Sequence, residues 1–356
     1  MKLGLGLYSK LLTQDNFRFA RQAGATHIVA HLSDYFSKGP SLPEAAGEGW
    51  GATGKSDQIW TYEELRDLRA AINAEGLELE AIENFNPAFW YDILLDGPRK
   101  KEQMKNIKEL IRRVGKAGIP IFGYNFSIAG VWGHVRGPYA RGGAVSVGFL
   151  GPDGPEETPI PNGMVWNMVY DPNAPRGTVG TVTQEQLWER LTYFLNELLP
   201  VAEDAGVRMA AHPDDPPMPT IRETARLVYQ PQIYQKLIDL NPSPASALEF
   251  CMGTITEMAS GDPYEAVDTY SRQNRIAYVH LRNVRGKVPH YHEVFIDEGD
   301  LDVIRVLRIL KTNGYTGVII PDHTPEMSCA APWHAGMAFA LGYIKAAITI
   351  IESEGG

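Results

Sequence analysis

The stretch VRMAAHPDDPP, residues 207–217, decides how this chain is read. A short apolar run ends on the imidazole of His212, and the prolines behind it forbid the strand to continue and stiffen the turn that follows. A helix-like run, Gln184 to Ala205, leads into it. The same grammar recurs downstream: apolar runs end at Cys251 in ALEFC and at His280 in YVH, and another ends at Asp322 in IIPD. Parallel strands that each deliver one polar side chain to a common rim are the signature of an α/β barrel, whose sites collect at the carboxyl ends of its strands.

Working outward, eight strand-like runs alternate with helix-like runs. The strands are predicted at Leu3–Tyr8, His27–His31, Leu77–Asn84, Ile119–Phe126, Val207–His212, Ala247–Met252, Ile276–Leu281 and Gly317–Asp322. The helices are predicted around Asn16–Ala23, Tyr62–Glu75, Lys101–Ala117, Gln184–Ala205, Ile221–Tyr229, Pro263–Arg272, Leu301–Thr312 and His334–Ile351. Near-continuous apolar strands between amphipathic helices indicate a parallel sheet covered by helices, and eight units indicate a closed (β/α)8 TIM barrel. Ala-Gly at 23–24, 117–118 and 205–206 and Asn-Gly at 313–314 mark helix ends independently of hydrophobicity. The whole chain, 1–356, is expected to form one barrel domain.

Two stretches break the repeat. Residues 36–60, after the second strand, and 127–183, after the fourth, are long, Gly- and Pro-rich excursions. Loops of this length are usually functional. Because both follow strand ends, they are expected to cover the active-site face; the competing reading is a surface or subunit-contact excursion.

The formal net charge of −10 argues against a nucleic-acid partner, which needs a concentrated basic face. Two cysteines in 356 residues give no disulfide framework, although a single Cys251–Cys329 bridge is left open by the count. A cytoplasmic protein is expected, since Leu3–Tyr8 is too short for a secretory core. Gly336, Gly342 and Lys345 interrupt the most apolar segment, so no membrane span is expected. Association through outer helices into a homo-oligomer is compatible with the pattern.

His212, Cys251, His280 and Asp322 each have a bland reading: a turn residue, a buried thiol, a core histidine, a salt-bridged carboxylate. Their convergence at one rim, with none at the other, favours a metal site. Two imidazoles, a thiolate and a carboxylate suit Mn²⁺, Fe²⁺, Co²⁺ or Zn²⁺ better than Mg²⁺. Asp214 and Asp215 are candidate outer acceptors for a ligand imidazole or for substrate hydroxyls.

The motifs Tyr124-Asn125-Phe126, the His212–Pro217 run, Phe250-Cys251-Met252-Gly253, His280-Leu281-Arg282-Asn283, Gly299-Asp300-Leu301-Asp302 and Pro321-Asp322-His323 occur in an order that resembles the mannonate dehydratase family, metal-dependent lyases on a xylose-isomerase-like TIM barrel. The resemblance implies that His212, Cys251, His280 and Asp322 bind Mn²⁺ or Fe²⁺ and that His323 transfers protons. It also shows departures. The third strand ends Glu83-Asn84-Phe85-Asn86-Pro87 in place of the family's Glu-Ser-x-Pro-Val-His-Glu. Only Trp132 and Arg136 stand where an Asp-Trp-Thr-Arg run is usual, and Thr324-Pro325-Glu326, then Trp333-His334, replace Gly-Arg and a catalytic Tyr.

The expected reaction is dehydration of a small sugar acid, D-mannonate or a related aldonic acid, to a 2-keto-3-deoxy acid. Such chemistry needs two proton-transfer groups. His323 is the first candidate, and Tyr124, His334, Tyr291 and His292 compete for the second role. Asn125, Arg136, Arg282, Asn283 and Glu83 are candidate substrate contacts. A metal-dependent sugar isomerase or epimerase on the same barrel is the alternative.

Overall fold

Eight short strands close on themselves in a computed structural model that describes residues 1–37, 39–42, 49–53 and 58–354. They are β1 (Lys2–Leu7), β2 (His27–Ala30), β3 (Glu78–Glu83), β4 (Ile121–Tyr124), β5 (Arg208–Ala211), β6 (Ser246–Cys251), β7 (Ile276–His280) and β8 (Val318–Ile320). Every pairing is parallel, and Lys2 and Leu3 close the ring against Val318 and Ile319.

The covering helices are α1 (Gln14–Gln22), α2 (Tyr62–Ala74), α3 (Lys100–Lys116), α4 (Gln184–Ala205), α5 (Ile233–Leu240), α6 (Pro263–Arg272), α7 (Val303–Thr312) and α8 (Pro332–Ser353). Their starts are written locally. Thr61 with Glu64, and Thr183 with Gln186, form reciprocal capping boxes that satisfy otherwise unpaired amides. Met104, Ile107, Leu110, Ile111 and Val114 make one buried stripe of α3. That helix approaches α4 so closely that a Cβ on Gly115 would lie 2.2 Å from the Ala205 carbonyl oxygen. By length and composition α8 could cross a membrane; in this fold Met337, Leu341, Ile344 and Ile348 are buried in its core-facing stripe.

One predicted helix is absent. Ile221–Tyr229 holds a tight hairpin, Thr220–Ile221 against Thr224–Ala225, and the helix falls later, at α5. Arg222 and Glu223 turn the chain with φ of 52° and 63°. The Asp214 carboxylate then accepts hydrogen bonds from the amides of Leu227 and Val228 at 2.7 and 2.8 Å, giving those amides partners that a helix would have drawn from its own carbonyls. Strand ends are also shorter than predicted: β4 stops at Tyr124 and β8 at Ile320.

The long excursions contain pairing that the sequence does not advertise. His134–Ala140 and Ala144–Phe149 pair with each other, and the latter pairs with His290–Val294, which folds back on Asn283–Lys287 after β7. Gly51–Ala52 pairs with Met168–Val169, so the first excursion is tied to the second. Within 36–60, residues 38, 43–48 and 54–57 lie outside the described residues.

Side-chain alternation explains what reaches the barrel axis. Val29, Ala81, Ile121, Ala210, Ala247, Tyr278, Val318 and Ile320 belong to one buried cluster inside the ring. Stepping two residues from these positions, once or twice, toward the carboxyl ends gives His31, Glu83, Asn125, His212, Cys251, His280 and Asp322; the same count along β1 gives Tyr8.

Candidate active site

Except for Cys251, which lies buried just beneath, these rim residues line a cavity of about 510 Å³ at the carboxyl end of the barrel. Its walls come from the excursions: Tyr35, Phe36, Trp50 and Trp166 form an interlocked aromatic group on one side, and Val131, His134, Arg136 and Ser146 stand among the residues on the other.

At the floor, His212, Cys251 and His280 place one donor atom each within 4.8 Å of one another. Asp322 Oδ2 lies 3.5 Å from His280 Nδ1 and 4.0 Å from the Cys251 sulfur. Donors bound tetrahedrally at 2.0–2.3 Å stand about 3.3–3.8 Å apart, so a small contraction would close this set on one ion. The ring nitrogens are already sorted. His212 Nδ1–H donates to the Pro213 carbonyl at 2.6 Å, which leaves Nε2 for the floor. His280 Nε2 faces Glu83 at 3.2 Å and Glu249 at 3.4 Å, while its buried Nδ1 makes no hydrogen bond among the described residues. An orphaned buried imidazole nitrogen beside a thiol and a carboxylate is what a cation would satisfy.

The electrostatics point the same way. Burial resists charge on the Cys251 thiol, yet the Arg282 guanidinium and the rings of His212 and His280 bring its pKa down to about 5. Burial also resists charge on His212, but the Cys251 sulfur and the Glu249 carboxylate lift it to about 9. Glu83 is held near 2 despite its burial by the rings of His31 and His280. Glu249, deeper in the barrel, is pushed well up by burial and by the neighbouring Glu83 carboxylate. Gly123 makes room for it: a Cβ there would lie 2.3 Å from both Glu249 Oε2 and the Tyr278 hydroxyl.

Arg282 is 2% exposed and organises the rim. It reaches Asp322 Oδ2 at 3.1 Å, Asp215 Oδ2 at 2.7 Å and Glu293 Oε1 at 3.3 Å, and it pairs with Glu257. Glu293 in turn lies 2.9 Å from His323 Nδ1, and His323 Nε2 lies 3.4 Å from the Tyr8 hydroxyl. Burial opposes charge on His323, but Asp322 and Glu293 raise it to about 10; a cation held by Asp322 would remove part of that pull and free the ring to accept a proton.

The other predicted residues divide. Asn125 lines the cavity, donating to the Pro213 carbonyl and accepting from the Trp166 indole. Arg136 lines the mouth, paired with Glu326 at 2.7 Å. Glu83 and Arg282 are committed to His280 and to carboxylates. Three residues fall elsewhere and are corrected here. Tyr124 ends β4 but turns away from the axis, because adjacent strand positions face opposite sides, and packs on Phe194 of α4. Asn283 donates to the carbonyls of Ile296 and Leu301 and accepts from two amides, fully used in bracing a loop. His334, in the first turn of α8, bonds Asn16 and meets Phe19 and Trp333 edge-on, short of the cavity. Of the competing pair on the hairpin, Tyr291 points inward and His292 packs on Tyr139 outside. Cys251 and Cys329 are both free thiols.

His31, His134, Glu293 and Tyr8 were not singled out by the sequence. The two-residue alternation that yields His212 and His280 also yields His31 and Tyr8; His134 and Glu293 sit in hairpins with no such marker.

A family model described as D-mannonate dehydratase (UxuA) matches residues 17–141 and 177–350. The mannonate dehydratase of Streptococcus equi subsp. zooepidemicus is 29% identical over 276 residues, 75% of each chain. The crystal structure of mannonate dehydratase from Streptococcus suis serotype 2 superposes with a TM-score of 0.77 at 24% identity, covering 100% of this chain and 95% of that one. A xylose isomerase domain protein from Planctomyces limnophilus shares the fold at TM-score 0.55 and 14% identity, covering 99% and 98%. Residues 142–176, which the family model leaves unmatched, lie inside the second excursion over the cavity.

Proposed function

The chain belongs to the D-mannonate dehydratase (UxuA) family, and on that premise we propose that it converts D-mannonate or a closely related aldonic acid to the 2-keto-3-deoxy acid and water. One observation carries the reading: two imidazoles, a thiol of lowered pKa and a carboxylate meet at the floor of a cavity large enough for a six-carbon acid. His212, Cys251, His280 and Asp322 are the residues that would hold a divalent cation; the thiolate among nitrogen and oxygen donors disfavours Mg²⁺, and the resemblance to the family favours Mn²⁺ or Fe²⁺. When bound, such an ion stabilises the negative charge that develops on the substrate's carboxylate and α-oxygen.

The chain's own groups do the rest. Glu83 and Glu249 fix the orientation of His280 from below. His323, aimed by Glu293, moves the proton on C2. Asn125 and Arg136 contact the hydroxyls and the distal end of the substrate, and the aromatic wall excludes water. A cytoplasmic location fits a metabolic enzyme with a reactive free thiol at its centre.

The test is purified protein supplied with Mn²⁺ and assayed for keto-acid formation against a panel of C5 and C6 aldonic acids. Product from at least one of them, lost on chelation and restored by Mn²⁺, is expected. Keto-acid formation from none of them overturns the reading.

A further inference from the structure

Dehydration moves two protons, one off carbon and one onto the departing hydroxyl, and His323 accounts for only one of them. A second histidine lines the same cavity. His134 begins the strand His134–Ala140 of the second excursion and is half-buried. Its Nε2 lies 2.8 Å from the Tyr291 oxygen and 3.4 Å from Asp215 Oδ1, and the Tyr291 hydroxyl donates to that same carboxylate oxygen at 2.9 Å. Because Tyr291 spends its proton on Asp215, His134 must donate from Nε2, which leaves Nδ1 for the cavity.

The arrangement repeats that of His323. Each histidine is backed by one buried carboxylate, Asp215 or Glu293, and both carboxylates are gripped by the same guanidinium, at 2.7 Å and 3.3 Å from Arg282. A merely structural histidine would have no need of this duplicate. An imidazole oriented by a carboxylate is the usual form of a general acid or base, since the carboxylate fixes the tautomer and favours the charged ring. Among the described residues, no hydrogen bond or ion pair joins His134 to any of the four candidate metal ligands.

We propose that His134 is the general acid of the reaction, protonating the C3 hydroxyl as it leaves. The proposal rests on the dehydratase reading above. The C2–H bond breaks and its proton passes to His323; its electron pair forms the C2–C3 double bond. The C3–O bond breaks with its pair on oxygen, which takes a proton that His134 carries on Nδ1, the Nε2 proton staying directed at Tyr291, and departs as water. The enol then gains a proton at C3 and loses one from its C2 hydroxyl, giving the 2-keto-3-deoxy acid. Tyr291 and Asp215 are positioning residues for His134.

A leaving group that needs no proton separates this role from a structural one. His134→Gln and His323→Asn are compared with wild type on an aldonic acid that wild type turns over and on its 3-deoxy-3-fluoro analogue, reading keto acid and fluoride. His134→Gln is expected to lose about 100-fold or more in kcat on the hydroxy acid, yet to release fluoride within about threefold of the wild-type rate. His323→Asn is expected to lose both. Near wild-type dehydration by His134→Gln, or an equal loss on both substrates, overturns the assignment. If wild type forms no keto acid from any aldonic acid, the dehydratase reading itself falls, and this assignment falls with it.

Discussion

The two ends of the barrel are built from the same eight strands and bury opposite things. At the amino end the axis is filled by Gly4, Val29, Ile121, Ala247 and Val318, and the ionisable groups stay on the outer edge. Lys2, 45% exposed, faces Glu80 at 3.9 Å, and Arg208 gives its guanidinium to the carbonyls of Asn274 and Arg275. At the carboxyl end, Glu83, Glu249, Cys251, His280, Arg282 and Glu293 are all buried. Apolar packing explains the first end by itself. Buried charge destabilises unless it is paired, so the second end exists for chemistry and depends on its pairing network.

The contrast can be broken most forcefully at Arg282. Arg282→Met leaves Asp215, Glu257, Glu293 and Asp322 without their shared cation, which is expected to remove about 3–5 kcal/mol and lower Tm by roughly 4–7 °C. A thermal melt within 2 °C of wild type would show that the network is not what holds this end together.

A gentler comparison uses two positions on β4. Gly123→Ala pushes a methyl against Glu249 and Tyr278 and is expected to destabilise by about 1–3 kcal/mol. Ile121→Val, one layer nearer the amino end, removes a methylene from apolar packing and is expected to lose about 0.5–1.5 kcal/mol. Urea unfolding of the two variants measures both, and Gly123→Ala alone should weaken metal retention. The reverse order of effects would contradict the distinction between the ends.

How much of this is legible in the sequence follows from how local each signal is. The barrel and the quartet at strands five to eight are legible because strand, turn and ligand lie within about six residues, as in the run ending at His212. Tyr8 and His31 obey the same alternation and end the first two predicted strands, so their place at the rim is legible and only a role for them is not. Tyr124 misleads because it stands one residue off the inward phase. His134 and Glu293 are different: their placement depends on Phe149 pairing with Tyr291 across a sequence gap that no local pattern spans. The hairpin at Thr220–Ala225 is likewise decided by Asp214, whose capping role is invisible before the loop is folded.

The smallest expected effect belongs to the quiet end. Burial and the neighbouring Lys2 push the His27 pKa down to about 4, so below pH 6.5 an unfolded chain binds a proton that the folded chain refuses. Stability from this group is complete above pH 6.5 and is lost as pH falls toward 4. His27→Gln should therefore flatten the acid side of the stability-versus-pH curve slightly; an unchanged slope would show that His27 is free to protonate in place.

The central claim is that one cation sits among His212, Cys251, His280 and Asp322. An anomalous-difference map from Mn²⁺-loaded crystals tests it directly. A single peak bonded to the Cys251 sulfur, one nitrogen each from His212 and His280, and an Asp322 oxygen is the predicted result. A peak held instead by Glu83 and Glu249 below them, or no peak on the cavity floor, would contradict it.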